Sequence, residues 1–268
     1  MNQVAEHVCT WIERAVAEAP DGHVPLLFLS GPQGSGKSTA LSEAVRALSM
    51  PVTGASIDDF YLTHEERADL ARTVSPLLAT RGPPGTHDLT LLQDTVAALR
   101  AAGADAQTSV PVFDKLADDR APASAWHTVH GRPAAIVIEG WLMGALPDAA
   151  SADDPPLNAV EASDTSGRWR PYQEAALSGP YTDLWEMADG FCHIVPPDFD
   201  CVLNWRLQQE AALWAERGAP MPDERRDWVI RFIQHYERIT RRMIGGGRRQ
   251  GAEIHIDADR NVLRTSGC

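Results

Sequence analysis

The sequence predicts an α/β protein, a three-layer αβα sandwich around a mostly parallel, doubly wound sheet with a helical lid. Three observations carry this expectation. Strand-like apolar runs alternate with helical patterns along most of the chain, the arrangement that builds parallel sheets covered by helices on both faces. A glycine-rich loop, Gly31-Pro32-Gln33-Gly34-Ser35-Gly36-Lys37-Ser38-Thr39, lies between the apolar run Leu26–Leu29 and the helical pattern Ala40–Leu48. Two further extended runs end in acids, at Asp58-Asp59 and at Glu139.

The glycine loop carries the chemistry most directly. Its glycines let the backbone curl and turn N–H groups inward, and the positive end of the following helix adds to an anion site. Lys37 reaches the β- and γ-phosphates of a bound nucleotide, and Ser38 offers its hydroxyl to Mg²⁺. Strand, loop and helix in that order are the context a P-loop requires. The fold class is therefore the P-loop NTPase sandwich, with ATP and Mg²⁺ as the expected ligands.

The remaining elements follow in order. Val4, Val8, Trp11, Ile12, Ala15 and Val16 fall at helical spacing over about residues 3–19, and Pro20-Asp21-Gly22 stops the helix. Residues 51–57 read as a second strand that delivers Asp58, Asp59, Phe60 and Tyr61 at its C-terminal end, where open parallel sheets bind ligands. Thr63 and Glu66 form a capping box for a helix through about Ala71. Arg81-Gly-Pro-Pro-Gly-Thr-His-Asp88 reads as a rigid loop, with Asp88 capping a helix over Leu89–Ala102. Residues 110–115 form an extended piece leading into a polar loop with Arg120. Residues 134–140 form a buried strand that closes on Glu139. The stretch 147–168, rich in Pro, Asp, Ala and Ser, reads as a surface insertion without regular structure. A strand over 191–195 and a helix over 204–217 come next. One long helix over about 223–244 follows, ended by Gly245-Gly246-Gly247, and 253–257 is the last strand. Residues 1–268 thus form one domain, with 204–244 as lid and following helix.

Composition narrows the function. The chain has 268 residues, 44% of them hydrophobic and 23% charged, enough for one large core. A net charge of −13 argues against nucleic-acid and acidic-membrane surfaces. Cys9, Cys192, Cys201 and Cys268 show neither paired nor zinc spacing, and read as free thiols of a reducing cytoplasm. No secretory leader or membrane-length apolar run is present in the sequence. Of 24 basic residues only Lys37 and Lys115 are lysine. Lysine is a compact point charge and arginine a planar fork, so a chain that writes arginine elsewhere singles out both lysines. Lys37 belongs to the P-loop, and Lys115 becomes a candidate for the same site.

Glu139, abutting an apolar strand, occupies the position where an acid holds Mg²⁺ directly or through water. Asp58 and Asp59 suit either a Mg²⁺ ligand or a base that takes the proton of an acceptor hydroxyl. A GTPase reading lacks Asn-Lys-x-Asp, and a motor or binding module would need further chain.

At this point the sequence resembles a known family. The P-loop, Ser56-Ile57-Asp58-Asp59-Phe60-Tyr61-Leu62-Thr63, Arg81–Asp88, Val112-Phe113-Asp114-Lys115, Ile138-Glu139-Gly140-Trp141, Pro197-Asp198-Phe199-Asp200 and Trp205-Arg206-Leu207-Gln208-Gln209-Glu210 together resemble D-glycerate 3-kinases. These sit within the phosphoribulokinase, uridine kinase and pantothenate kinase group. The resemblance spans roughly residues 25–257. It implies an ATP-dependent kinase acting on a small, anionic hydroxy compound, with D-glycerate first and a nucleoside or pantothenate-like acceptor as the alternative. It further implies Asp58 as catalytic base, Glu139 as the second metal acid, and Arg206 or Arg217 as the lid arginine. Asp59, Tyr61, Arg81, His87, Asp114, Lys115 and Arg120 are the candidate acceptor-pocket residues. A carboxylate acceptor calls for an arginine fork or a lysine among them. His87 reads as a hydrogen-bonding loop residue, because Asp58 already supplies a base. Two segments depart from the family pattern: Leu116-Ala117-Asp118-Asp119-Arg120, where a glycine-rich basic run is usual, and the 147–168 insertion.

Overall fold

A computed structural model describes residues 1–268. Helix α1 (Gln3–Glu18) leads to strand β1 (Leu26–Ser30), all five of whose residues are buried, and the glycine loop connects β1 to α2 (Lys37–Ala47). Strand β2 (Val52–Ser56) runs into a short 3₁₀ turn over Ile57–Phe60 that carries Asp58 and Asp59. Helix α3 (His64–Thr73) opens with the predicted capping box of Thr63 and Glu66, and α4 (Leu89–Ala101) is capped by Asp88. Two small hairpins follow. One pairs β3 (Gln107–Val110) with a later strand. The other joins β4 (Phe113–Asp114) to β5 (Asp119–Arg120). The partner of β3 is β6 (His127–His130), and then comes β7 (Ala135–Gly140), buried along its whole length.

The second half supplies short helices α5 (Ala159–Ala162), α6 (Trp169–Ala176) and α7 (Thr182–Glu186), then strand β8 (Gly190–Val195). Helices α8 (Phe199–Glu216), α9 (Asp223–Gln234) and α10 (Glu237–Ile244) precede strands β9 (Ala252–Ile256) and β10 (Val262–Ser266). The six-stranded main sheet has the order β10-β9-β8-β1-β7-β2, parallel throughout except for the final β9–β10 pair. No helix is long and apolar enough to cross a membrane.

Register is what positions the site. Leu29 of β1 and Ser56 of β2 both pair with Glu139 of β7, and Ser30 pairs with Gly140 and with His193 of β8. Four parallel strands therefore end level. The glycine loop, the Asp58 turn and Glu139 emerge on one edge of the sheet, beyond its C-terminal ends.

Several elements depart from the sequence reading. The long helix expected over 223–244 breaks at His235-Tyr236, where i→i+3 bonds from His235 to Phe232 and from Tyr236 to Ile233 tighten the chain before α10 restarts. The break turns the Tyr236 ring inward against Trp141, with ring centroids 5.0 Å apart. Helix α8 begins at Phe199 rather than Asn204, because Asp198 caps it by accepting from Cys201 N–H. The 147–168 stretch is not without structure: it holds a 3₁₀ turn over Ala149–Asp153 and helix α5. Val160 is fully buried there, and buried Glu161 pairs with Arg238 of α10. One valine and one acid suffice to anchor a segment whose overall composition is polar.

The glycine loop is gripped from outside. Trp205 of α8 packs against Gly34, and the Arg260 guanidinium, which lies over the Trp205 ring, donates to the Gly34 carbonyl at 2.6 Å. Gly34 has φ +80°, and a Cβ there would lie 2.5 Å from Trp205 Cβ. Gly34→Ala therefore combines backbone strain with a clash. It should lower the unfolding free energy by about 2–4 kcal/mol, measured by urea denaturation.

Candidate active site

A cleft of about 330 Å³ opens above the strand ends. Its floor is the glycine loop. Gly31 N–H donates to Gly140 and Ser35 N–H to Pro32, while the Gly34 and Gly36 N–H groups have no backbone acceptor. Helix α2 starts at Gly36 with φ +86° and no side-chain cap, so its first-turn donors also face the loop's concavity. This is an anion cradle built from main chain.

One wall holds the predicted metal pair. Ser38 Oγ donates to Glu139 Oε1 at 2.6 Å, and Lys37 Nζ lies 3.8 Å from Glu139 Oε2. Glu139 is 5% exposed, and its Oε2 makes no hydrogen bond. A buried carboxylate oxygen without a hydrogen-bond donor is costly, and a cation relieves that cost. No cluster of three or more acidic, cysteine or histidine ligands surrounds the position. A hydroxyl plus one carboxylate, with phosphate oxygens and waters completing the set, fits Mg²⁺.

Asp58 lines the same cleft. Its Oδ1 accepts from Tyr61 Oη at 2.6 Å and its Oδ2 from Lys115 Nζ at 2.8 Å. Burial alone would raise its pKa. The Lys115 charge and hydrogen bond, the Tyr61 hydroxyl and the Lys37 charge outweigh burial and bring it down to about 2. Lys115 is raised in turn, chiefly by the Asp58 charge. Asp58, expected as base or metal ligand, thus has both oxygens engaged by protein donors. Asp59 points elsewhere: it accepts from Phe113 N–H at 3.2 Å and ties the Asp58 turn to β4.

The other expected residues divide. Arg81 and Arg206 line the cleft with Lys37 and Lys115. Each of the four cations has an acid partner. Arg81 pairs with Asp118, which Arg67 also holds at 2.9 Å. Arg206 pairs with Glu210 at 3.1 Å, and Arg225 shares that acid at 2.7 Å. Besides Asp59, three expected acceptor residues do not line the cleft. Arg120 is turned to Asp88 at 2.9 Å and to the Tyr61 carbonyl at 3.0 Å, and so fixes the loop rather than facing a ligand. Asp114 accepts from the N–H groups of Leu116 and Ala117 and shapes the turn after Lys115. His87 is buried and bonded to Tyr181 Oη, and burial pulls its pKa down to about 4, so it is neutral near pH 7. Arg217 lies on the exposed end of α8, over Trp214 and outside the cleft lining.

Four lining residues were not singled out from sequence: Trp141, Gln209, Phe232 and Tyr236. Trp141 and Gln209 adjoin Glu139 and Arg206 in stretches already marked. Phe232 and Tyr236 carry no local signal, since only the break after α9 brings them in. Tyr236 Oη donates to the Arg81 carbonyl at 2.7 Å and Trp141 Nε1 to the Gly82 carbonyl at 3.1 Å, which pins the 81–88 loop beside the cleft.

A main-chain anion loop, a hydroxyl–carboxylate pair and a second acid lining the same cleft, all on one sheet edge, are the arrangement of a P-loop kinase. Comparison with known proteins agrees. No family model matches the chain. It is 35% identical to the uncharacterized kinase mug58 of Schizosaccharomyces pombe over 81% of this chain and 80% of that one. It is 34% identical to the chloroplastic D-glycerate 3-kinase of Arabidopsis thaliana over 96% of this chain, spanning 59% of the plant protein's length. The solved D-glycerate 3-kinase of Cryptococcus neoformans superposes with a TM-score of 0.80 at 25% identity, covering 100% of both chains. The chain belongs to this D-glycerate 3-kinase-related family of P-loop kinases and is an ATP-dependent kinase.

The Asp58 shift gives a stability prediction. A carboxylate held below its ordinary 3.8, at about 2, stabilises the fold above pH 4, and that contribution is lost as pH falls through 2. Lys115 is more than half exposed, so solvent screening reduces the effect to about 1 kcal/mol. The gap in unfolding free energy between the native chain and Asp58→Asn should narrow by that amount between pH 6 and pH 2.

Proposed function

We propose that this chain transfers the γ-phosphoryl group of MgATP to a hydroxyl of D-glycerate, giving 3-phosphoglycerate and ADP. The observation that carries the reading is the meeting of the only two lysines in one cleft. Lys37 stands against Glu139 on the donor side and Lys115 against Asp58 on the acceptor side. The names of the plant and fungal relatives support glycerate as the acceptor.

In this reading the glycine-loop N–H groups and Lys37 hold the β- and γ-phosphates and neutralise charge on the transferring group. Ser38 and Glu139 would hold Mg²⁺, which would supply positive charge to offset that of the phosphates. Asp58 orients the acceptor hydroxyl and takes its proton. The hydroxyl oxygen forms its bond to the γ-phosphorus as the bond to the bridging oxygen breaks, and the electron pair leaves with ADP. Arg206 and Gln209 come from lid helix α8. With Trp141, Phe232 and Tyr236 they wall the reacting groups from water. Lys115 supplies the cation that the acceptor carboxylate meets, with Arg81, held by Asp118, adding positive charge beside it. The four free thiols suit a reducing, cytoplasmic setting.

An ADP-release screen over D-glycerate, nucleosides, pantothenate and sugar phosphates tests the reading. D-glycerate should give the highest kcat/KM, and Lys37→Ala should lower turnover by about a thousandfold. Asp58→Asn should lower kcat by about a hundredfold or more while the KM for ATP moves less than about threefold. Turnover of a nucleoside or pantothenate with none of glycerate would contradict the acceptor. Near-normal activity of Lys37→Ala would contradict the donor site.

A further inference from the structure

We propose that Lys115 is a lock on Asp58 that an anionic acceptor opens: the acceptor's own negative group draws the Lys115 ammonium away, and the freed Asp58 oxygen takes the hydroxyl proton. This rests on the reading of Asp58 as the base, and it makes Lys115 a positioning residue that selects acceptors by charge.

The argument starts from lone pairs. A base must aim a carboxylate oxygen at the acceptor hydroxyl, yet Tyr61 and Lys115 occupy one Asp58 oxygen each. Each oxygen keeps a further lone pair, but a carboxylate held against an ammonium is a weak base, and withdrawing one partner restores its basicity. Tyr61 is 4% exposed and packed between the Phe113 ring, edge-on at 5.1 Å, and the His87 ring at 4.8 Å. Lys115 is the movable one: its side chain is 57% exposed and it sits at the tip of the β4–β5 hairpin, beside fully solvated Leu116.

The cleft's other cations are less available to an acceptor anion. Arg81 is held by Asp118 together with Arg67, and both guanidinium groups lie over the Phe113 ring. Arg206 shares buried Glu210 with Arg225. Drawing either arginine away weakens a shared network and leaves its carboxylate short of a partner. Drawing Lys115 away leaves Asp58 facing a hydroxyl that donates to it, so nothing is left unsatisfied. A neutral acceptor gives Lys115 no reason to move, and Asp58 stays closed. The same closure holds Asp58 away from water when ATP is bound alone, which suppresses hydrolysis of ATP to ADP and phosphate.

The test compares the native chain, Lys115→Met and Lys115→Arg on D-glycerate, on neutral glycerol, and on ATP without acceptor. The lock predicts three results for Lys115→Met. The glycerate-over-glycerol preference in kcat/KM falls by about a hundredfold. Glycerol turnover and acceptor-free ATP hydrolysis each rise by about threefold or more. Lys115→Arg restores part of the preference and keeps hydrolysis low. A fall in preference with glycerol turnover and acceptor-free hydrolysis unchanged makes Lys115 a plain binding cation and overturns the lock, as does an equal loss on both acceptors. If the native chain leaves glycerate untouched, the acceptor reading fails. Acceptor-free hydrolysis still judges the lock: a rise in Lys115→Met upholds it and no change overturns it.

Discussion

The organisation of this protein depends on charge matching inside one cleft. The chain carries a net charge of −13, so a site for polyphosphate has to be assembled locally from few cations. Four of them line the cleft, and each is held by an acid: Lys37 by Glu139, Lys115 by Asp58, Arg81 by Asp118 and Arg206 by Glu210. The pairs are not equivalent. Asp118 and Glu210 each serve two arginines and fix the frame. Glu139 and Asp58, the acids given the metal and base roles in the proposed function, are both partnered by lysine. A compact ammonium on a flexible stem can shift between a carboxylate and a phosphate or substrate anion more readily than a forked guanidinium locked in two directions.

The scaffold holds those pairs in register. Level strand ends bring the glycine loop, the Asp58 turn and Glu139 to one edge. Trp205 and Arg260 clamp the loop from outside. Tyr236 and Trp141 bind the carbonyls of Arg81 and Gly82, and the row of Trp228, Phe232 and Tyr236 runs along α9 down to that contact. Helix α9 and the break after it are thus joined to the 81–88 loop by aromatic packing and by the Tyr236 hydrogen bond.

Much of this was legible because its signals are local. Strand β1, the glycine loop and α2 form one continuous pattern, and the Thr63–Glu66 box and the Asp88 cap each lie within four residues. The scarcity of lysine pointed to Lys115 without any structural knowledge. What escaped depends on partners remote in sequence. Arg120 reads as a pocket cation until Asp88, 32 residues earlier, is seen to hold it. The β3–β6 hairpin pairs residues across an intervening turn and a second hairpin. The kink that delivers Tyr236 lies inside a helical pattern with no proline or glycine to mark it. The 147–168 insertion packs through Val160 and Glu161, two residues that composition averages away.

Because the chain has only two lysines, the pairing of donor and acceptor halves can be watched directly. Selective ¹³C labelling at lysine Cε should give two NMR signals, assigned with Lys37→Arg. A non-hydrolysable ATP analogue with Mg²⁺ should move the Lys37 signal and leave Lys115 nearly in place. D-glycerate added next should move Lys115. A glycerate titration that leaves the Lys115 signal unmoved while the chain phosphorylates glycerate would contradict the account.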